Sequence, residues 1–117
     1  MKVVKTLARV YVNDMEEAIS FYETLCGEKC GLRFKYSEMN LELAGIGSLL
    51  VIAGTDEALE PFRSTLFTMR VDSIREIKDY LLSHGGVIER DIAKVPTGFN
   101  MTARHADGTK VEYVEFV

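Results

Sequence analysis

Two stretches of this chain repeat one another in pattern. Leu7-Ala-Arg-Val-Tyr-Val12 aligns with Leu66-Phe-Thr-Met-Arg-Val71, after which Met15 falls on Ile74 and Phe21 on Tyr80. Towards the ends, Leu43-Ala44 aligns with His105-Ala106, and Leu49-Leu50-Val51-Ile52 with Val111-Glu112-Tyr113-Val114. Few letters are shared, so the repeat lies in periodicity rather than identity. A unit of this length that occurs only twice is an internal duplication and not a solenoid. Whatever element order one copy adopts, the other must adopt too, and 117 residues hold both within one ordinary domain.

Within the first copy, Thr6–Val12 is β-rich and partly alternating. Asn13 or Asp14 supplies an N-cap, and Glu16 and Glu17 suit the positive end of the helix dipole. Met15, Ala18, Ile19, Tyr22 and Leu25 follow at helical spacing until Gly27 stops the helix. Arg33–Ser37 reads as a short strand, and Met39–Leu43 and Ser48–Ala53 as a hairpin around Ala44-Gly45-Ile46-Gly47. The second copy restarts with a strand at Leu66–Val71, a cap at Ser73, and a helix carrying Ile74, Ile77, Leu81 and Leu82 up to Gly85-Gly86. Strands then follow at Val87–Arg90, Phe99–Arg104 and Lys110–Phe116, the last two joined through Asp107-Gly108. The fold class is therefore α+β: two βαβββ units, residues 1–54 and 62–117, joined by a polar, acidic connector at 55–61.

Composition narrows the function. A chain that is 47% hydrophobic and 27% charged is a globular composition, not a disordered one. A net charge of −4 argues against a nucleic-acid partner, which wants a basic face. No apolar run approaches the roughly 20 residues of a membrane span, and Met1-Lys2-Val3-Val4-Lys5 lacks the apolar stretch of a secretory signal, so a cytoplasmic location is expected. Cys26-Gly-Glu-Lys-Cys30 has three intervening residues, where redox and zinc motifs place two.

Three segments, taken in order with the repeat behind them, resemble the vicinal oxygen chelate superfamily, which includes glyoxalase I, the bleomycin resistance proteins and extradiol dioxygenases. Val12-Asn-Asp-Met-Glu-Glu-Ala-Ile-Ser-Phe-Tyr22 resembles that family's first strand-to-helix passage. His84-Gly-Gly-Val87 resembles the end of its second helix, and Arg104-His-Ala-Asp-Gly-Thr-Lys-Val-Glu-Tyr113 its final hairpin. The resemblance implies an incurved mixed sheet with helices outside and a ligand cleft inside, and often pairing or swapping of units between chains in a homodimer. Metal-dependent members carry a ligand on the first and last strand of each unit, which falls here on Leu7, Leu50, Leu66 and Glu112. A divalent metal needs nitrogen or oxygen donors from three or four side chains. Three leucines supply none, so neither a metal nor another cofactor is expected.

Strand alternation sorts the remaining faces. Ala8, Val10 and Val12 pack under a helix and leave Leu7, Arg9 and Tyr11 towards the cleft; Phe67, Met69 and Val71 likewise leave Leu66, Thr68 and Arg70. On the third strands, Met39, Leu41 and Leu43 are expected to pack, leaving Asn40 and Glu42 inside with Asn100, Thr102 and Arg104 as counterparts. Leu50 and Ile52 correspond to Glu112 and Val114 on the last strands. The expected ligand-binding set is thus Leu7, Arg9, Tyr11, Glu42, Leu50, Leu66, Thr68, Arg70, Arg104 and Glu112. Such a lining suits a small organic ligand, although Glu42 with Arg104, and Glu112 with Arg9 or Arg70, are alternatively charge pairs that neutralise one another. The leading functional expectation is a metal-free small-molecule binding protein. The alternatives are a lyase, isomerase or dioxygenase using Glu112 as its catalytic carboxylate, with or without a divalent metal, and an interaction module whose cleft has filled with leucine.

Overall fold

The computed structural model describes residues Met1–Val117. Packing divides the chain into two units, one of Ala8–Ser64 and one of Met1–Leu7 together with Thr65–Val117. The first long strand, β1 (Val3–Val12), therefore contributes residues to both.

The Ala8–Ser64 unit contains α1 (Met15–Cys26), β2 (Arg33–Tyr36), β3 (Leu41–Ile46), β4 (Leu49–Ala53) and the short α2 (Asp56–Leu59). Its strands lie in the order β2-β3-β4-β1, with β1 parallel to β4 and the other pairs antiparallel. The other unit contains β5 (Phe67–Val71), α3 (Ile74–Ser83), β6 (Val87–Val95), β7 (Gly98–Arg104) and β8 (Lys110–Phe116). Here the order is β5-β8-β7-β6, again with one parallel pair, β5 with β8. The duplication extends to register. Arg9 pairs with Leu50 in one unit and Thr68 with Glu112 in the other, and these are equivalent positions of the sequence repeat.

Local chemistry sets the helix ends. The Asp14 carboxylate accepts from the Glu17 amide at 3.1 Å, and Ser73 Oγ accepts from the Glu76 amide at 3.3 Å. Gly27 closes α1 in the left-handed region at φ 68°, where a side chain would be strained. From α1, Met15 and Ala18 bury against Ala44, Ile46, Val51 and Ala53. From α3, Ile74, Ile77 and Leu81 bury against Val71, Met101, Ala103, Val111 and Tyr113. Each large apolar side chain removed from water in this way contributes about 1.5–3 kcal/mol. No helix is long and apolar enough to cross a membrane.

Several elements differ from the sequence expectation. β3 runs on to Ile46, and the hairpin closes at Gly47-Ser48, with Ile46 opposite Leu49. Gly47 at φ 57° is the first central residue of a two-residue loop, the place where that turn wants glycine. Upstream, Ser37–Met39 forms a 3-10 turn and Asn40 sits at φ 54°, so the strand cannot begin before Leu41. β6 is longer than Val87–Arg90, with register shifts between Ile88 and Arg90 and between Arg90 and Ala93. Leu25, expected on the packed stripe of α1, is largely exposed, as is Leu82 of α3. The acidic connector is structured. Thr55 caps α2 by accepting from the Ala58 amide at 3.1 Å, and Leu59 is fully buried.

Candidate functional site

The face of the β5-β8-β7-β6 sheet turned away from α3 is polar. Pairing register aligns one residue from each strand in a transverse row: Thr68, Glu112, Thr102 and Arg90. Alternation dictates this, because the neighbours Phe67, Met69, Val111, Tyr113, Met101 and Ala103 all pack into the α3 core. Glu112 is held at both carboxylate oxygens. Thr68 donates its hydroxyl to Oε1 at 3.0 Å, and Asn100 donates its amide to Oε2 at 3.2 Å. Both donors are almost wholly buried, with Thr68 1% and Asn100 3% exposed. Arg90 fixes the second donor in turn: Nη1 donates to Asn100 Oδ1 at 2.9 Å and Nη2 to Thr102 Oγ1 at 3.2 Å. With its oxygen committed to Arg90, the Asn100 amide can only present N–H to Glu112. Thr68 and Asn100 thus orient the carboxylate from both sides.

A β-bulge supplies the charged end of this face. Glu89 is the extra residue between the pairs Ile88–Ala103 and Arg90–Thr102, and a bulge lets two successive side chains serve one side of a sheet. Glu89 accepts from Arg104 Nε at 2.6 Å and meets Lys110 Nζ at 3.4 Å. The Arg104 hydrogen bond, followed by the charge of Lys110, holds the Glu89 carboxyl below its ordinary range. Arg104 also donates to the Gly108 carbonyl at 3.0 Å. One row beyond Glu112, the Arg70 guanidinium stacks 4.3 Å from the centre of the Phe116 ring.

In the Ala8–Ser64 unit, the face turned away from α1 is mainly apolar. Leu50 is 5% exposed and Ile52 is fully buried. Tyr11 donates its hydroxyl to the Phe62 carbonyl, and the Arg9 and Arg63 guanidinium carbons lie 5.5 and 5.8 Å from the centre of its ring. Glu42 does not join this face. It shares the α1 side with Ala44 and Ile46, where Arg33 Nε donates to it at 2.6 Å and Arg33 Nη2 reaches Glu16 of α1. The expected packing of Leu41 and Leu43 under the helix therefore fails. Both faces of β3 carry apolar residues, so hydrophobicity alone could not set its parity. Glu42 is paired with Arg33 and Arg104 with Glu89, each on an adjacent strand of its own unit. Leu66 lies just ahead of β5 and is 60% exposed, its amide donating to the Lys110 carbonyl at 2.9 Å. Leu7 is half-buried on β1.

Of the expected site residues, Thr68, Arg70 and Glu112 thus share one face, and Arg9, Tyr11 and Leu50 share one in the other unit. Asn100 and Thr102, read from the sequence only as inward counterparts, are structural partners of the Glu112 row. Arg90 and Glu89 were missed, because a bulge leaves no signal in a run such as Val87-Ile-Glu-Arg90.

The donor set does not fit a resident divalent metal. Leu7, Leu50 and Leu66, three of the four positions where the sequence resemblance would place a metal ligand, carry no donor atom, and no group of three or more His, Cys, Asp or Glu side chains could hold a metal ion.

Comparison with solved structures places the fold. An uncharacterized protein of Methanosarcina mazei is 43% identical over the whole of this chain and 95% of its own, with a TM-score of 0.90. The methylmalonyl-CoA epimerase of Mycobacterium tuberculosis superposes over 98% of this chain and 89% of its own at 17% identity and TM-score 0.74. A Streptomyces coelicolor methylmalonyl-CoA epimerase variant, in complex with 2-nitronate-propionyl-CoA, covers 99% of this chain and 96% of its own at 12% identity and TM-score 0.77. No protein-family model and no curated protein matches the chain.

Proposed function

As a member of the same family as the Methanosarcina mazei protein, with a fold of the vicinal oxygen chelate superfamily, this chain is, we propose, a metal-free small-molecule binding protein that engages its ligand through Glu112. One observation carries the reading. The Glu112 carboxylate is aimed by Thr68 and Asn100, and Asn100 is itself locked by Arg90. Buried neutral donors committed to a single carboxylate are an arrangement that fixes an acceptor in place. The matching partner is a small organic molecule presenting a hydrogen-bond donor to Glu112, with Arg70 one row away for an acidic group of the same molecule.

The epimerases of like fold favour a second reading, in which Glu112 removes a proton from an acidic C–H. Inverting a carbon centre requires proton return on the opposite face, and hence a second acid–base group. The enzymatic version proposed is therefore a one-base proton shift or exchange at Glu112.

One experiment separates the readings. Protein dialysed against EDTA is mixed in D2O with a panel of small organic acids and short α-branched acyl thioesters and followed by NMR. Saturable binding without loss of the ligand α-proton signal supports the binding protein. Protein-dependent deuterium incorporation that disappears in Glu112→Gln supports the isomerase. Neither result with any compound, or binding only after a divalent metal is added, overturns the proposal.

A further inference from the structure

The opposite side of the same unit holds a cavity of about 340 Å³ beneath α3. Its inner wall is apolar, formed by Met69, Ile77 and Leu81. Both histidines of the chain line it, together with Tyr80 and Tyr113.

Those atoms are specific in what they offer. His105 Nε2 lies 2.6 Å from the Tyr113 hydroxyl. Whichever of the two donates, the Tyr113 oxygen retains either an acceptor lone pair or a proton for a third group. Burial of Tyr113 pushes its ionisation above the ordinary tyrosine value, so the phenol stays neutral. At the rim, the His84 ring stacks on Tyr80 with centroids 4.1 Å apart, and its Nδ1 is 2.8 Å from the Tyr80 carbonyl. A carbonyl can only accept, so Nδ1 carries the proton and donates to it.

No Asp, Glu, Lys or Arg side chain lines the cavity. The Met1 ammonium, at its edge, is already engaged by Glu76 at 2.8 Å. A charged ligand head would enter apolar surroundings without a counter-charge. A hydroxyl, which both donates and accepts, matches the His105–Tyr113 pair. A flat ring matches the walls, because thioethers such as Met69 favour aromatic contact and the Tyr80–His84 stack extends an aromatic rim.

We propose that this cavity binds an uncharged single-ring phenol or aromatic alcohol, its hydroxyl on the His105–Tyr113 pair and its ring against Met69, Ile77 and Leu81. The site is separate from Glu112. Met69 and Tyr113 pair in register directly beside Thr68 and Glu112, but their side chains belong to the α3 core on the opposite face of the sheet.

The test is a titration of ¹⁵N-labelled protein with 4-ethylphenol, and with 4-ethyltoluene as the match lacking the hydroxyl. The expected result is saturable shifts at the amides of Met69, Leu81 and Tyr113 with 4-ethylphenol. Affinity should be about tenfold weaker for 4-ethyltoluene, and about tenfold weaker for 4-ethylphenol in Tyr113→Phe, the loss expected for one hydrogen bond. Ala106→Trp, on the exposed turn that borders the cavity, fills the space without disturbing the core and should abolish the shifts. Absence of saturable shifts, equal affinity for the two compounds, or shifts that persist in Ala106→Trp would each overturn the proposal.

Discussion

Replacing Glu112 in two different ways separates the hydrogen-bonding role of its carboxylate from its charge. Glu112→Leu removes the acceptor shared by Thr68 and Asn100, at 3.0 and 3.2 Å. The Thr68 hydroxyl can turn away, so its loss is that of one ordinary bond, about 0.5–1.5 kcal/mol. The Asn100 amide cannot flip, because Arg90 holds its oxygen at 2.9 Å. It is left as a stranded buried donor at about 1–3 kcal/mol. Together these predict that Glu112→Leu is destabilised by about 2–4 kcal/mol, and by about 10 °C in Tm for a domain of this size. Glu112→Gln keeps an oxygen for Asn100, and its amide donates to the Thr68 oxygen once that hydroxyl rotates, so it should cost less than about 1 kcal/mol. Urea denaturation followed by far-UV circular dichroism, with thermal melts alongside, measures both. If Gln costs as much as Leu, the charge itself is structural and the carboxylate is not reserved for a ligand. If Leu is silent, the network does not hold Glu112.

Other expectations follow from the same geometry. Glu89 has a folded pKa below its unfolded value, so its contribution is present above the unfolded pKa and lost as pH falls through the folded one; Glu89→Gln should flatten the decline of stability below about pH 5 in acid titrations. Divalent zinc, nickel or manganese should leave the melting temperature of EDTA-dialysed protein unchanged, and elemental analysis should find no stoichiometric metal; about one equivalent per chain would refute the reading of the leucine positions. We further propose a homodimer, because Phe21 and Leu25 lie 59% and 68% exposed on α1 and such apolar surface is commonly covered. Light scattering at low micromolar concentration should return a mass near twice 13.2 kDa, and a persistent monomer would exclude it.

The duplication was the most legible feature of the sequence, because it constrains element order and register together. Aligning Leu50 with Glu112 and Arg9 with Thr68 anticipates the two equivalent parallel pairings. The faces of β5 and β8 were legible for the same reason, since each alternates cleanly between the α3 core and polar residues. β3 was not. Leu41 and Leu43 look like core, yet small Ala44 and Ile46 lie under α1 while Glu42 on that side is held by Arg33. The bulge at Glu89 was illegible because an extra residue in a charged run changes which side chains share a face without altering composition. The buried Leu59 was hidden within an acidic connector, whose charges suggest solvent and whose short helix starts at the Thr55 cap.

The central claim is that Glu112, oriented by Thr68 and Asn100, binds a small molecule without a metal. The side-chain amide resonances of Asn100 report on that site directly, because one of its hydrogens is committed to Glu112. They should be recorded on EDTA-dialysed protein across a panel of small organic acids, amines and acyl thioesters. The account predicts a compound that shifts this resonance pair saturably with one-to-one stoichiometry, and the disappearance of that shift in Glu112→Gln. A ligand that shifts it equally in Glu112→Gln, or only after a divalent metal is added, would contradict the account.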